Sequence, residues 1–271
     1  MTTVAVMGSC VAGMPRLFLN ERGIKTMNVA DVYRSEHFVR YFIDEEPGLP
    51  SADELWSMLD ISAEETVEQW NKVLELYPQT AGARLDAQQT GAPLMHNLQH
   101  ENIDIILMDN WHDSNTNYTV MRDTNGEFAW GCNTHIPFFK PEYQERLYYK
   151  DVQPAAEMAS NWNKIARFVR EQQPYAKIFM ICGHYVTSWE KKERFRLLRD
   201  FYLRFVELTR DVDINIVPPL HLPPGALKLP DEAHYDLNVY RAMAGYIYLA
   251  HVAHWPDFGR TYQLPSDVAA F

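Results

Sequence analysis

"VAVMGSCVAG", residues 4–13, joins an apolar run to a turn of small residues in which a serine and a cysteine stand side by side. The apolar part reads as a short buried strand over 3–7. The part that follows, "VAGMPRLFLNER" over 11–22, spaces Val11, Met14, Leu17 and Phe18 as a helix does. Pro15 falls in the first turn, where a missing N–H costs least, and Gly23 supplies a stop. A strand that enters a helix through Gly8, Ser9 and Cys10 exposes a side chain at the sheet edge. It also aims helix N-terminal N–H groups at any oxyanion formed there. Small residues end strands for steric reasons alone as well. The choice between these readings depends on what the rest of the chain supplies.

The same alternation repeats along the chain. Strands are expected at 24–29, at 103–108 within "NIDIILMDNW", at 177–182 within "AKIFMICGH", and at 214–217. Helices are expected at 62–77, where Ser62 and Glu65 have capping-box spacing, and at 155–172 and 189–210. A last helix is expected at 236–252, with Asp236 as its N-cap. Strands alternating with helices imply right-handed crossovers and a parallel sheet covered on both faces. The expectation is α/β: a single three-layer α/β/α domain over 1–271 with a mainly parallel five-stranded sheet. Residues 112–150, aromatic and polar without a sustained period, read as a long irregular insertion. Its Trp, Phe, Asn and His residues suit a sugar or an acyl carrier, or equally an aromatic mini-core.

Composition narrows the function classes. The 271 residues are 46% hydrophobic, enough for a real core. A formal net charge of −11 speaks against a nucleic-acid partner and for simple solubility. Three cysteines, Cys10, Cys132 and Cys182, make no disulfide framework. The N-terminus lacks the pattern of a signal peptide, and no apolar run approaches the roughly 18–20 residues of a membrane span. A cytoplasmic location is therefore expected. His112 and Asp113 with Asp109, or His184 with the 231–236 loop, lack a recognised ligand spacing, so no metal is expected.

The C-terminal stretch "LPDEAHYDLNVYRAMAGYI" places Asp231 and His234 three apart in a loop that leads into an amphipathic helix. An Asp can orient a His, and a His can serve a nucleophile as general base. The alternative is a histidine that merely sits in a polar loop.

Three blocks together, "VAVMGSC", a strand ending in Asn110 and "DEAHYDLNVYRAMAGYI", resemble the SGNH or GDSL-type hydrolase superfamily. That resemblance implies a flavodoxin-like sheet and acyl-ester chemistry. The middle block, "LMDNWHD", lacks the family's Gly before the Asn. The first block is similar to the GSCFA-type branch and to capsular-polysaccharide acyltransferase-like proteins with a Gly-x-Cys turn. The resemblance implies Cys10 as nucleophile, or Ser9 if the turn is shifted by one residue. It implies His234 as base, Asp231 as its partner, and an oxyanion hole from the Cys10 N–H and the Asn110 amide. A thiol at a helix N-terminus and beside a His ionises readily, which fits Cys10.

The family's second block has no Gly in "DVYRSEHF", 31–38. Ser35 stands in for it, and Arg34 can meet an anionic group; an ordinary helix start is the alternative. Asp109 and His112, flanking the Asn110 strand end, are assigned to the substrate side. The expected function is that of an esterase or O-acyltransferase acting on a carbohydrate or similar acylated small molecule. No cofactor is required, apart from an acyl-CoA-type donor if the protein is a transferase. The competing expectation is a non-catalytic domain that recognises a glycan or an acyl carrier.

Overall fold

The structure, a computed structural model, describes residues 1–31, 34–47, 57–58, 60, 94–114, 118–123, 126–132, 139–183, 185–186, 192–219, 221–222, 226 and 234–253. Strand β1 (Thr3–Gly8) runs into the small-residue turn and two short helices, α1 (Cys10–Gly13) and α2 (Pro15–Asn20). The single helix expected over 11–22 is interrupted at Met14. Pro15 has no N–H to continue the ladder and begins a new first turn. After Gly23, whose φ of +82° suits only glycine, the chain enters β2 (Lys25–Asp31). Next come α3 (Ser35–Phe38), a π turn over Val39–Ile43, α4 (Leu94–His100), β3 (Ile105–Asp109) and a 3₁₀ turn over His112–Ser114. They are followed by β4 (Tyr118–Asp123), β5 (Gly126–Cys132), α5 (Pro141–Gln144), β6 (Leu147–Lys150) and α6 (Ala155–Gln172). The chain continues through β7 (Lys177–Ile181), β8 (Tyr185–Val186), α7 (Lys192–Leu208), β9 (Asn215–Val217), β10 (His221–Leu222) and α8 (Leu237–Val252). Asp236 caps α8, its side chain accepting the Asn238 N–H at 2.8 Å. The helix expected over 62–77 lies outside the described residues.

The five expected strands form one all-parallel sheet in the order β2-β1-β3-β7-β9. Counting only these strands, the order is 2-1-3-4-5, the flavodoxin-like arrangement. Side chains alternate between the two faces. Ala5, Met7, Ile106, Met108, Ile178 and Met180 enter a core shared with α4, α6 and α7. Val4, Val6, Ile105, Leu107, Phe179 and Ile181 face the other way, against α1, α2 and α8. The result is three layers with a sheet buried on both sides.

A strand that is apolar on both faces cannot fix its own register by burial, because a one-residue slip exchanges one apolar face for the other. Polar clamps at both ends of β1 supply the missing information. At its start, Asp104 Oδ2 accepts the Thr3 N–H at 2.7 Å and the Thr3 hydroxyl at 3.1 Å. At its end, the Ser9 N–H and hydroxyl reach Asp109. Between the clamps, Val4 to Met7 pair in step with Ile105 to Met108.

The reading of 112–150 as irregular is corrected by the structure. β4, β5 and β6 form a three-stranded antiparallel sheet in the order β5-β4-β6, with Asp123 opposite Gly126 at the hairpin end. Among the described residues, no helix is long and apolar enough to cross a membrane.

Candidate active site

In a sheet of this order the ligand crevice lies beyond the carboxyl ends of the strands where the winding reverses, between β1 and β3. Here those two ends are Gly8–Cys10 and Asp109–Asn110, and they are bonded to each other. Asp109 is 1% exposed and its two oxygens take four donors. Oδ2 accepts the N–H groups of Ser9 at 2.7 Å and Ala12 at 2.9 Å. Oδ1 accepts the Ser9 hydroxyl at 2.8 Å and the Trp111 N–H at 2.9 Å. Burial pushes the Asp109 carboxyl up, and the Ser9, Trp111 and Ala12 donors oppose that shift. With all four lone-pair positions filled by donors, the geometry is that of a carboxylate. Gly8 makes the approach possible: a Cβ there would sit 2.4 Å from Asp109 Oδ2.

This arrangement separates the two candidate nucleophiles. Ser9 is 2% exposed and is the N-cap of α1: its Oγ accepts the Val11 N–H at 3.1 Å while donating to Asp109. Cys10 follows it at the first helical position and is partly exposed. The N–H groups of Ser9, Val11 and Ala12 are all engaged within the protein. Asp109, assigned from sequence to the substrate side, is instead enclosed and saturated by the protein. His112 is partly buried, on the 3₁₀ turn directly after Trp111.

Asn110 is fully buried. Its Oδ1 accepts the Gly183 N–H at 3.0 Å, which fixes the amide orientation, and its Nδ2 donates to Met158 Sδ at 3.4 Å. An oxyanion role would therefore fall to the second hydrogen of Nδ2.

The second-block residues are drawn into a buried hub that sequence reasoning missed. Asp113, 1% exposed, accepts the Ser35 N–H at 2.9 Å and the Gln153 amide at 2.8 Å on Oδ1, and the Trp162 indole N–H at 2.6 Å on Oδ2. Burial pushes its carboxyl up to about 6, against the bonds from Ser35 and Trp162 and the charge of Arg34. The backbone N–H of Ser35 is thus committed to Asp113 rather than offered to a ligand. Arg34, 2% exposed, gives Nη1 to Asp151 O at 2.8 Å and Nη2 to Glu36 Oε1 at 3.0 Å. The anion it meets is a side chain of the protein. Glu36 is also 2.7 Å from Lys150 Nζ. Partial burial pushes the Glu36 carboxyl up, but the Lys150 hydrogen bond and the charges of Arg34, His37 and Lys150 outweigh it and hold it below the usual range.

At the C-terminal block, Asp231 lies outside the described residues, and His234 is partly exposed. Its neighbour Tyr235 anchors the segment. Tyr235 is 1% exposed, takes part in the same apolar cluster as Val11, Ala12 and Trp111, and packs edge-on to Tyr240 with ring centroids 5.1 Å apart. Its N–H donates to the Tyr240 hydroxyl at 3.3 Å. Burial first, then the nearby Tyr240, Asp109 and Cys182, push the Tyr235 phenol well up, and Arg194 opposes them. Arg194 in turn lies 3.8 Å above the Trp111 ring centroid. The segment carrying His234 therefore docks on the side of the sheet edge where Asp109 holds the Cys10 turn. Among the described residues, no group of three or more His, Cys, Asp or Glu gathers as a metal site would require.

Comparison with protein-family models and with curated proteins gives no match. Among solved structures, the chain is similar to a family two carbohydrate esterase from Clostridium thermocellum, with 9% identity and a TM-score of 0.49, over 94% of this chain and 65% of that one. It is similar to the acetyl xylan esterase Est2A from Butyrivibrio proteoclasticus, with 10% identity and a TM-score of 0.44, over 94% and 64%. A GDSL-like protein from Parabacteroides merdae matches with 10% identity and a TM-score of 0.43, over 93% and 95%. The chain thus spans about 65% of the length of the two esterases. These likenesses are distant, and the functional reading rests on the site itself.

Proposed function

We propose that this protein performs acyl-ester chemistry with Cys10 as nucleophile, on a carbohydrate or similar acylated small molecule. The observation that carries the reading is the turn at the end of β1. Ser9 is used up as cap and as donor to Asp109, whereas Cys10 is the partly exposed side chain at the crevice edge. In the proposed cycle His234 takes the Cys10 proton, and Sγ attacks the acyl carbon to form a C–S bond. The carbonyl oxygen becomes an oxyanion facing the Cys10 N–H and the Asn110 amide. Collapse breaks the bond to the leaving atom, the oxygen of an ester or the sulfur of a thioester donor, which receives the proton from His234, and leaves a thioester on Cys10. Water or a sugar hydroxyl, deprotonated by His234, then attacks the thioester and restores the thiol. Water makes the protein an esterase, and a hydroxyl makes it an O-acyltransferase, which would take an acyl-CoA-type donor. Asp231 is assigned to orienting the imidazole.

A second reading keeps the scaffold without the chemistry, as a glycan- or acyl-carrier-binding domain. It is favoured by one specific finding: the Ser35 N–H and the Asn110 amide are both engaged within the protein. Incubation with an activated acyl ester, followed by peptide mass spectrometry, separates the two. The catalytic reading expects acyl mass on Cys10, lost in Cys10→Ala and slowed strongly in His234→Ala. Absence of acylation at Cys10, with retained binding of an acylated sugar, would establish the binding domain.

A further inference from the structure

The carboxylate behind the turn does more than tie two strands together. Cys10 stands between the two residues whose N–H groups converge on a single oxygen: Ser9 and Ala12 both donate to Asp109 Oδ2. Asp109 therefore takes the N–H groups on either side of Cys10 and sets a negative charge beside that residue. Its contact is enforced from behind by Gly8 and from the side by the Trp111 N–H. Within the reaction proposed above, we infer that Asp109 is a positioning residue: it fixes the backbone that presents Cys10, and its charge opposes thiolate formation, so activation falls to His234. Among the described residues, the other titratable groups bearing on this carboxylate are Tyr235 from the segment entering α8, with Cys182 after β7, Tyr240 of α8 and Arg194 of α7 around that phenol.

The inference rests on Cys10 being the nucleophile, and its test keeps the two apart. In the full chain, the rate of carbamidomethylation by iodoacetamide is followed against pH and read at the Cys10 peptide, which separates it from Cys132 and Cys182. In Asp109→Asn, which removes the charge and keeps the shape, the midpoint of that profile is expected to fall by about one pH unit, as for a charge removed at close range beneath partial burial. The acylation rate of Cys10 by an activated acyl ester is expected to fall at least roughly tenfold, with KM within about threefold, because the turn is less firmly held. A loosened turn alone would lower the acylation rate and leave the midpoint in place, so an unmoved midpoint overturns the inference. Should Asp109→Asn fail to fold, His234→Gln asks the same question in the intact turn: with the imidazole gone, the Cys10 midpoint is expected above the roughly 8.5 of an ordinary thiol, and a midpoint at or below that value overturns the inference. A wild-type Cys10 that is alkylated but never acylated overturns the functional reading, and with it this inference, whatever the midpoint does.

Discussion

Asp109 and Asp113 are four residues apart at the end of one strand, equally buried, and each accepts several hydrogen bonds, yet their partners differ in kind. Asp109 takes three backbone N–H groups and one hydroxyl, nearly all from the turn it faces. Asp113 takes one backbone N–H and otherwise side-chain donors, gathered from the start of α3, the segment before α6, and α6 itself. Backbone donors have no rotamers to trade, so a carboxylate that binds them dictates the path of the main chain. Side-chain donors can shift, so a carboxylate that binds them assembles elements without dictating their fine geometry. The first kind of anchor belongs beneath a reacting group, where small displacements are costly, and the second beneath an architecture.

Several variants would break or sharpen this contrast. The largest effect is expected at the group that Asp109 presents. Cys10→Ala should lose at least about three orders of magnitude in acyl-ester turnover, with unfolding free energy nearly unchanged. Near-wild-type turnover of an activated ester in this variant would remove the reason for Asp109 to be rigid.

Next comes stability, measured by urea denaturation. Asp109→Ala strands three buried N–H groups at about 1–3 kcal/mol each, a large part of the roughly 5–15 kcal/mol that holds a domain together. Compared at about pH 4, where Asp113 is protonated, Asp113→Asn retains a carbonyl acceptor and should cost about 1–2 kcal/mol. The reverse ranking would contradict the division between backbone and side-chain anchors.

The third effect is pH-dependent. Because burial raises Asp113 from its ordinary 3.8 to about 6, the folded protein holds that proton more tightly than the unfolded chain. Its contribution is full below about pH 4 and is lost as pH rises through about 6, up to roughly 3 kcal/mol in all. Wild type measured against Asp113→Asn should therefore lose relative stability between pH 4 and 6.5. A flat difference across that window would mean that the donors around Asp113 cancel its burial.

The smallest effect is expected at Lys150→Met. Its pair with Glu36 is partly exposed on both sides, at 33% and 23%, and should be worth at most about 1 kcal/mol.

The sheet was legible in the sequence because its strands are continuous apolar runs closed by turn residues. "NIDIILMDNW" and "AKIFMICGH" end in the structure at Asp109 and Ile181, within a residue of the expected limits. Helix α6 was equally clear, since Met158, Trp162, Ile165 and Val169 hold a helical stripe until Pro174. The antiparallel sheet was missed although Asn125-Gly126 is a hairpin signal, because the aromatic and polar residues on either side show no clean alternation. The turn itself was legible: Ser9 and Cys10 were singled out together, and only the cap and the Asp109 contacts distinguish their surroundings. The roles of Asp109 and Asp113 were not, because an acid at a strand end looks the same in sequence whether it faces a ligand or the protein's own N–H groups. Likewise nothing in "DVYRSEHF" announces that Arg34 and Ser35 turn inward to Glu36 and Asp113.

The antiparallel sheet leaves and rejoins the fold at nearly one point. The chain departs through Asp113 and Ser114 and returns through Asp151 and Gln153, and Gln153 is bonded back to Asp113 at 2.8 Å. A segment pinched shut at its base is a graft site. Its length can change at little entropic cost, because each doubling of a closed loop adds only about 0.6 kcal/mol. Exchanging residues 115–150 for a shorter or longer piece would leave the parallel sheet and the Cys10 turn uncut. This antiparallel sheet can therefore diverge from one descendant of this chain to another while the end of β1 stays the same.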